Sequence, residues 1–323
     1  MKLTVAIPTY KRPEFLKRCV ESVLAAAQGV DVELLIMDDS VDETNSTLYA
    51  SWQSLGSVRV VRNTRNLGID ANICACIENA RGDYVWLIGE DDLMRRHSIT
   101  RVWPQLDKDY PFIFANYSYI TNDQRLVFRD RSVDITSDSM AFDSFYDDLL
   151  WSAGFIGGCI INRTAFLDTR YKDFIGTYYA HVAGISLASK GQAIGLVSEP
   201  QVGNRVGDAS TFTWSSESFG VFQGWRKLLA MLRPTFGEQH HASAYRTHKE
   251  AHGYLGWKFL ITKRADGLLN WRHVRQLLQD ETSSSERLRA LIAFALVPKW
   301  LAKMAYGAYG RLRRPTLAPF SLE

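Results

Sequence analysis

The chain has 323 residues, of which 46% are apolar and 23% are charged, and its formal net charge is +3. This apolar share is enough to build a sizeable core, which excludes a mainly disordered chain. No run of about 18 or more uncharged apolar residues occurs, which excludes a polytopic membrane protein. The small net charge disfavours nucleic-acid binding through bulk charge, so no nucleic-acid partner is expected.

The cysteine content and the first residues both point to the same compartment. Four cysteines in a chain of this length are too few for a disulfide scaffold. The opening stretch MKLTVAIPTYKR contains only a short apolar run, which is typical of a first strand rather than of a signal peptide. A reduced, cytoplasmic compartment is therefore the expectation.

Strand and helix patterns alternate over the first 110 residues. Short apolar runs predict buried strands at 3–7, 32–37, 57–62 and 84–88. A helix is predicted from Pro13 to a stop at Gly29, and another carries the apolar stripe of Ile73 and Ile77 and ends at Gly82. Such alternation predicts an α/β fold with a mostly parallel sheet that is covered by helices on both faces.

The pattern loosens after about residue 110. Further strands are predicted at 112–120, 126–129 and 157–161, and a helix at 177–190. The stretch 203–213 is the most loop-like. From residue 216 the chain reads as helical, which predicts a first domain over 1–215 and a helical region over 216–323. The helices predicted there cover 216–232, 242–264, 270–280 and 286–310.

Polar residues follow each of the first four predicted strands, where an open parallel sheet binds its ligands. The residues involved are Pro8, Thr9, Tyr10 and Arg12 after the first strand, Asp38 and Asp39 after the second, Asn66 and Gly68 after the third, and Glu90, Asp91 and Asp92 after the fourth. Three adjacent acids repel one another, and Mg²⁺ or Mn²⁺ with phosphate oxygens would relieve that repulsion. The alternative is that acids after strands merely cap the next helix.

Three ordered motifs, IPTYKRPEFL, LIMDDS and NLGIDANICACIENARGDYVWLIGEDD, resemble the family 2 glycosyltransferases of the GT-A fold. The third motif is most similar to the abequosyltransferase-type branch of O-antigen assembly enzymes. The resemblance is strong over about residues 1–110 and weak over about 150–210. It implies a metal-dependent enzyme that moves a sugar from a nucleotide-sugar donor to a hydroxyl group, with inversion at the anomeric carbon.

The resemblance also implies roles for single residues. Pro8, Thr9 and Tyr10 would line the pocket for the nucleotide base, and Asp38 would hydrogen-bond the base beside Asp39. Asn66 and Gly68 would lie near the ribose and the diphosphate. Glu90 stands where similar enzymes have an aspartate that contacts the ribose, and Asp91, with Asp92, would bind the Mn²⁺ or Mg²⁺ ion.

The reaction also needs a base that takes the proton from the acceptor hydroxyl. Similar enzymes use an acid at the start of a helix after a Gly-rich strand, but here His181 is the good proton acceptor at that place. The alternative is a helix histidine that satisfies a hydrogen bond within the fold, and Asp173 and Asp208 are reserve candidates for the base. Arg205 is expected in a loop, where it would pair with the diphosphate or stand exposed.

The segment 287–322 carries seven basic residues and no acid, interleaved with aliphatic and aromatic residues. This pattern is typical of amphipathic helices that lie on an anionic membrane surface. The alternatives are a helical hairpin packed on the first domain and a dimer interface. Membrane association would suit a lipid-linked glycan acceptor and a peripheral location on the cytoplasmic face of the inner membrane.

The sequence disfavours two other enzyme classes. A sugar nucleotidyltransferase needs a Gly-rich loop after the first strand, and a dinucleotide dehydrogenase needs G-x-G-x-x-G there; residues 8–12 contain no glycine. A non-catalytic domain that binds a nucleotide-sugar or scaffolds polysaccharide assembly remains the alternative. The donor nucleotide stays open among CDP, dTDP, UDP and GDP.

Overall fold

The first part of the chain alternates strands and helices, as the sequence predicts. The computed structural model describes residues 1–52, 55–121, 123–206, 218–279, 284–312 and 318–322. Pro13 opens the first helix, where a missing N–H is tolerated. The elements are β1 (Leu3–Thr9), α1 (Pro13–Ala26), β2 (Val32–Asp38), α2 (Ser46–Trp52), β3 (Val58–Arg62), α3 (Ile69–Asn79), β4 (Tyr84–Leu87), β5 (Leu93–Met94) and α4 (Ser98–Leu106).

The middle of the chain extends the sheet. Its elements are β6 (Phe112–Ile120), β7 (Leu126–Arg129), β8 (Ser139–Ala141), α5 (Phe142–Asp148), β9 (Cys159–Asn162), α6 (Arg163–Leu167), α7 (Ala180–Ser189) and β10 (Ala193–Arg205). The bounds predicted for β6 and β7 are confirmed. The prediction of a loop from residue 203 is wrong, because β10 continues through Arg205 and pairs with β6 up to Ile120. Residues 207–213 of that predicted loop lie outside the described residues.

The rest of the chain is mainly helical, as predicted. Its elements are α8 (Ser218–Phe236), α9 (Glu238–His252), α10 (Trp257–Ala265), α11 (Trp271–Gln279), α12 (Ser284–Ala295), α13 (Lys299–Leu312) and a short strand β11 (Ala318–Pro319). Two predicted helices are each divided. Gly253, at φ 58°, ends α9 in a left-handed conformation, and Pro298 separates α12 from α13 because proline disfavours helical geometry in the residue before it. Across the described ranges, no helix is long and apolar enough to cross a bilayer.

One sheet organises these elements, in the strand order β11-β7-β6-β9-β4-β1-β2-β3. The strands β1 to β4 run parallel to one another. β9 is antiparallel to both β4 and β6, and β10 pairs parallel with β6 and antiparallel with β5 and β8. The predicted mostly parallel sheet is therefore correct for the first four strands, whereas the whole sheet is mixed.

The main hydrophobic core lies between this sheet and its helices, and it extends beyond residue 215. Trp225, Leu228 and Leu232 of α8 pack into it together with the buried side chains of the sheet. A second cluster joins α10, α11 and α12 around Leu260 and Val274. The helical region predicted from residue 216 is thus shared between two cores, and its division from the first 215 residues stays a prediction.

Glu33 in β2 joins three neighbouring segments of the sheet. Its carboxylate accepts hydrogen bonds from Thr4 Oγ1 in β1 (2.7 Å), Arg59 Nε in β3 (2.7 Å) and the backbone N–H of Arg81 (2.9 Å). Burial acts to raise the pKa of Glu33, but these hydrogen bonds outweigh it and hold the pKa below its usual 4.5. The ionised carboxylate therefore stabilises the folded state.

We expect Glu33→Gln to lower the free energy of unfolding at neutral pH by about 2 kcal/mol, since hydrogen bonds to charged groups contribute about that much. The folded-state pKa is depressed, so this contribution is present above the unfolded pKa and is lost as the pH falls through the folded one. Urea unfolding across the acid range should show the difference between variant and wild type shrinking below about pH 4. Glu43→Gln, at an exposed ion pair with Arg62, is the control; a pH-independent difference for Glu33→Gln would contradict the assignment.

Candidate functional site

The ends of β1, β2 and β4 meet at one edge of the sheet. Thr9 at the end of β1 lies directly opposite Asp38 at the end of β2. β4 lies on the other side of β1, and Ile88 beyond its end donates its N–H to Ala6 O (3.0 Å). Because Glu90, Asp91 and Asp92 follow Ile88 closely, the predicted acidic cluster and the loop after β1 come together.

Glu90 fastens the acidic cluster to the loop that follows β1. Its carboxylate accepts hydrogen bonds from Thr9 Oγ1 and from the backbone N–H of Tyr10 (3.0 Å), and it pairs with Arg12 Nη1 (3.3 Å). Burial raises the pKa of Glu90 to about 7. In this structure the Glu90 carboxylate therefore holds the loop after β1 in place. The contact with a ribose that the resemblance implies stays a prediction.

Asp91 lies between two guanidinium groups. Arg12 Nη1 and Arg205 Nε each lie 3.1 Å from Asp91 Oδ2, and Arg205 Nη2 donates to the same oxygen. The Arg205 side chain is fully buried and its guanidinium stacks 4.3 Å from the centre of the Phe15 ring. The predicted loop position of Arg205 and the alternative of an exposed side chain are therefore both wrong, because the end of β10 carries Arg205 inward to the acidic cluster, and its pairing with a diphosphate stays a prediction.

Asp92 anchors the end of β10. One oxygen, Oδ1, accepts the backbone N–H of Arg205 (3.0 Å). The other lies so close to Gly89 that a Cβ there would be 2.5 Å from Oδ2. Burial and the neighbouring Asp91 raise the pKa of Asp92 well above its usual value. Among the described residues, no group of three or more His, Cys, Asp or Glu side chains is arranged to hold a metal ion.

Asp39 holds the turn that precedes α3. Its carboxylate accepts the backbone N–H of Leu67 (2.8 Å) and of Gly68 (3.0 Å), and also Asn63 Nδ2 (3.0 Å). Asn66 Oδ1 accepts the N–H of Gly68 as well (2.8 Å). Gly68 has φ +79°, a left-handed conformation that favours glycine. These hydrogen bonds hold the predicted donor-binding turn in place without a ligand, and Asn66 and Gly68 remain exposed.

Asp38 lies beneath the site, whereas Tyr10 lies on its open side. Asp38 is fully buried, and its Oδ1 accepts the N–H of Ser40 (2.9 Å) and Asn45 Nδ2 (3.3 Å). Tyr10 is 39% exposed, and Pro8 in β1 is partly buried. Of the residues predicted to contact the base, Tyr10 is therefore the most exposed in this structure. The buried Asp38 could contact a base only after the residues that cover it had moved.

His181 lies in the core. The residue is 1% exposed, and its Nε2 lies 3.2 Å from the carbonyl oxygen of Ala153, an acceptor, so Nε2 carries the proton. Burial lowers the pKa of His181 to about 4. In this structure His181 is therefore not accessible to a sugar acceptor. Its position matches the alternative of a histidine that is hydrogen-bonded within the fold. Of the reserve candidates, Asp173 is exposed, and Asp208 lies outside the described residues.

The sequence reasoning missed Asp70. Its buried carboxylate accepts the backbone N–H groups of Gly176 (2.8 Å), Thr177 (3.1 Å), Tyr178 (3.0 Å) and Ala180 (2.9 Å). Asp70 thereby joins the first turn of α3, directly after Gly68, to the start of α7. An acid at the start of a helix signals interaction with the helix dipole, but the chain that it binds lies more than a hundred residues away.

Part of the sequence is similar to curated sugar-transferring enzymes. Abequosyltransferase RfbV of Salmonella typhimurium is 30% identical over 110 residues, 33% of this chain and 33% of that protein. Glycosyltransferase GlyG of Streptococcus pneumoniae serotype 4 is 25% identical over 142 residues, 43% of this chain and 47% of that protein. The matched stretches thus span less than half the length of each of these curated relatives.

Solved structures share the fold over nearly the whole chain. S. aureus TarS 1-349 in complex with UDP-GlcNAc superimposes with a TM-score of 0.58 at 14% identity, covering 97% of this chain and 93% of that one. Mannosyltransferase PcManGT from Pyrobaculum calidifontis in complex with GDP-Man and Mn²⁺ gives 0.52 at 17% identity, covering 96% and 87%. The predicted GT-A type fold is confirmed. The family model "Glycosyl transferase family 2" matches residues 4–170, which is just over half of the chain, and the protein therefore belongs to glycosyl transferase family 2.

Proposed function

We propose that the protein transfers a sugar from a nucleotide-sugar donor to a hydroxyl group of a surface-polysaccharide intermediate such as O-antigen. The observation that carries this proposal is Asp91 between Arg12 and Arg205, at the edge where parallel strands end. That edge is where an open α/β sheet binds ligands. Family membership and the similarity to an abequosyltransferase support the same reaction class.

The donor would lie across the open residues of this edge. Tyr10 offers a ring for the base, and the exposed turn at Asn66 and Gly68 offers groups for the ribose and diphosphate. Arg12 and Arg205 would share their charge between Asp91 and the diphosphate, whose negative charge grows as the bond to the sugar breaks. Inversion at the anomeric carbon is part of the proposal.

A divalent cation fits the site, with Asp91 as its protein ligand. Its carboxylate supplies hard oxygen atoms and its side chain is 14% exposed. Mg²⁺ and similar cations often take one or two protein carboxylates and complete their shell with substrate phosphates and water. When bound, Mn²⁺ or Mg²⁺ supplies positive charge to the leaving diphosphate. We assign Asp91 as the ligand, because the oxygens of Asp92 contact the backbone at Arg205 and Gly89.

The acceptor in this proposal is a lipid-linked glycan, and the protein binds peripherally to an anionic membrane at its cytoplasmic face. On α13, Trp300 is 64% and Met304 63% exposed, one helical turn apart. The adjacent Lys299 and Lys303 are exposed as well. Exposed apolar side chains beside lysines match the interface of an anionic bilayer. Of the seven basic residues of the segment 287–322, Arg313 and Arg314 lie outside the described residues.

The donor site is tested by calorimetric titration of CDP, UDP, dTDP and GDP, with and without Mn²⁺. We expect wild type to select one nucleotide in a metal-dependent way, and Asp91→Asn to weaken binding by at least about tenfold, since it removes the charge that holds both arginines and the cation. Asp168→Asn, at an exposed acid after α6, is the control.

The same titration separates the catalyst from the scaffold. A folded wild-type protein that binds none of the four nucleotides would reject the donor site. Selective binding without any sugar transfer in the presence of a membrane extract that contains acceptors would favour the non-catalytic, nucleotide-sugar-binding domain. Transfer that disappears in Asp91→Asn while the fold survives would favour the enzyme.

Gly89→Ala tests the packing beneath the acids. The added Cβ would lie 2.5 Å from Asp92 Oδ2, so the Asp92 carboxylate, which accepts the N–H of Arg205, would have to move, whereas Asp91 Oδ1 at 3.4 Å would stay in ordinary contact. We expect nucleotide binding to weaken by at least about tenfold, with cooperative unfolding retained. Gly56→Ala, where a Cβ would meet nothing within 4 Å, is the control. Unchanged nucleotide affinity in Gly89→Ala would show that the position of the Asp92 carboxylate does not affect donor binding.

Membrane binding is tested by co-flotation with phosphatidylglycerol-containing vesicles and with phosphatidylcholine vesicles. We expect the double variant Trp300→Ser, Met304→Ser to lower partition into the anionic vesicles about tenfold, because two apolar side chains no longer enter the interface. Wild-type binding should also fall as salt is raised. Ile175→Ser, at an exposed apolar residue far from α13 in the sequence, should bind as wild type. Equal flotation of the double variant would reject α13 as the membrane surface.

A further inference from the structure

A segment near the end of the described chain returns to the edge of the candidate site. In β11, Ala318 pairs with Val127 of β7 in antiparallel register. The N–H of Phe320 donates to Arg125 O (2.7 Å), and the N–H of Arg96 donates to Leu322 O (2.6 Å). The returning segment, residues 318–322, is therefore held by backbone hydrogen bonds on both sides.

Phe320 packs on the strand pair that flanks the acidic cluster. It joins a small apolar cluster with Leu93, Ile120 and Val127 that is separate from the main core. A Cβ on Gly203 would lie 2.7 Å from Phe320 Cζ, so the tip of the ring lies directly against Gly203. Gly203 of β10 is itself paired with Leu93 of β5.

These contacts lie next to the residues of the site in the chain. Leu93 directly follows Asp92, and Gly203 lies two residues before Arg205. The pairing of β5 with β10 sets the distance between the two segments, and Phe320 covers that pairing. The turn between β6 and β7 makes a second link, because Gln124 Nε2 donates to the backbone oxygen of Asp91 (2.7 Å).

We infer that Phe320 is a positioning residue, which holds the end of β10 against the acidic motif so that Arg205 meets Asp91. Truncation of the ring leaves space over Gly203 and loosens the β5–β10 pair. The hydrogen bond from the Arg205 N–H to Asp92 Oδ1 then opens more often. The consequence for nucleotide binding rests on the proposed function, but the positioning itself does not.

The positioning is tested by hydrogen exchange of the backbone amides in Phe320→Ala. We expect exchange at Arg205 to quicken about tenfold, while the amides of β2 keep the wild-type rate. Leu322→Ala, an apolar truncation in the same segment at a more exposed side chain, is the matched control. Exchange at Arg205 within about twofold of wild type in Phe320→Ala would overturn the inference.

Gly203→Ala provides a reciprocal test. The new Cβ would lie 2.7 Å from Phe320 Cζ and 2.9 Å from Ile120 Cδ1, so both side chains would have to shift, and we expect exchange at Arg205 to quicken as it does in Phe320→Ala. In the double variant the ring is absent, and the two effects should combine to less than their sum. Additive effects would show that Gly203 and Phe320 act independently and would overturn the inference. Phe320→Leu, which restores apolar contact, should recover most of the wild-type protection.

A nucleotide titration distinguishes this inference from the proposed function. If wild type binds a nucleoside diphosphate, Phe320→Ala should bind it about tenfold more weakly and Leu322→Ala should not differ from wild type. If wild type binds none of CDP, UDP, dTDP and GDP, the proposed function fails and the exchange rates alone decide the positioning. Weakened binding with unchanged exchange at Arg205 would overturn the inference while the proposed function survives.

Discussion

The charge balance around Asp91 is the constraint on which the architecture of the site depends. A carboxylate that is mostly shielded from water needs nearby positive charge. Arg12 comes from the loop after β1, Asp91 follows β4, and Arg205 ends β10. One cluster of opposite charges thus requires three segments that are far apart in the chain to end at the same place. The end of β10 is held at this edge because Arg205 donates hydrogen bonds to both Asp91 and Asp92.

Several other acids of the site accept hydrogen bonds from the backbone of its loops. Glu90 accepts the N–H of Tyr10, Asp39 accepts those of Leu67 and Gly68, and Asp70 accepts four from the start of α7. Hydrogen bonds from backbone N–H groups to an ionised carboxylate are strong because the acceptor is charged. Loops held in this way are set before a ligand arrives, which lowers the entropy cost of binding.

The sequence predicts the local features of this arrangement and misses the distant ones. Runs rich in apolar and aromatic residues place β6 and β7 correctly, and acids after short buried strands predict where the strand ends converge. β10 escapes prediction because it contains Gly195, Pro200 and Gly203 and a register shift, all of which are disfavoured in regular strands. The burial of His181 depends on packing against Ala153, which no local pattern reveals.

The two arginines also change the reason for expecting a metal ion. From sequence alone, three adjacent acids require a cation to relieve their repulsion. In the folded protein, Arg12 and Arg205 already neutralise charge at Asp91, and Asp92 is buried against the backbone with its pKa well above the usual value. Without donor, the protein therefore balances this cluster itself. In the proposed function, a nucleoside diphosphate would add further negative charge at the same edge, so the demand for a cation would arise with the diphosphate rather than with the carboxylates.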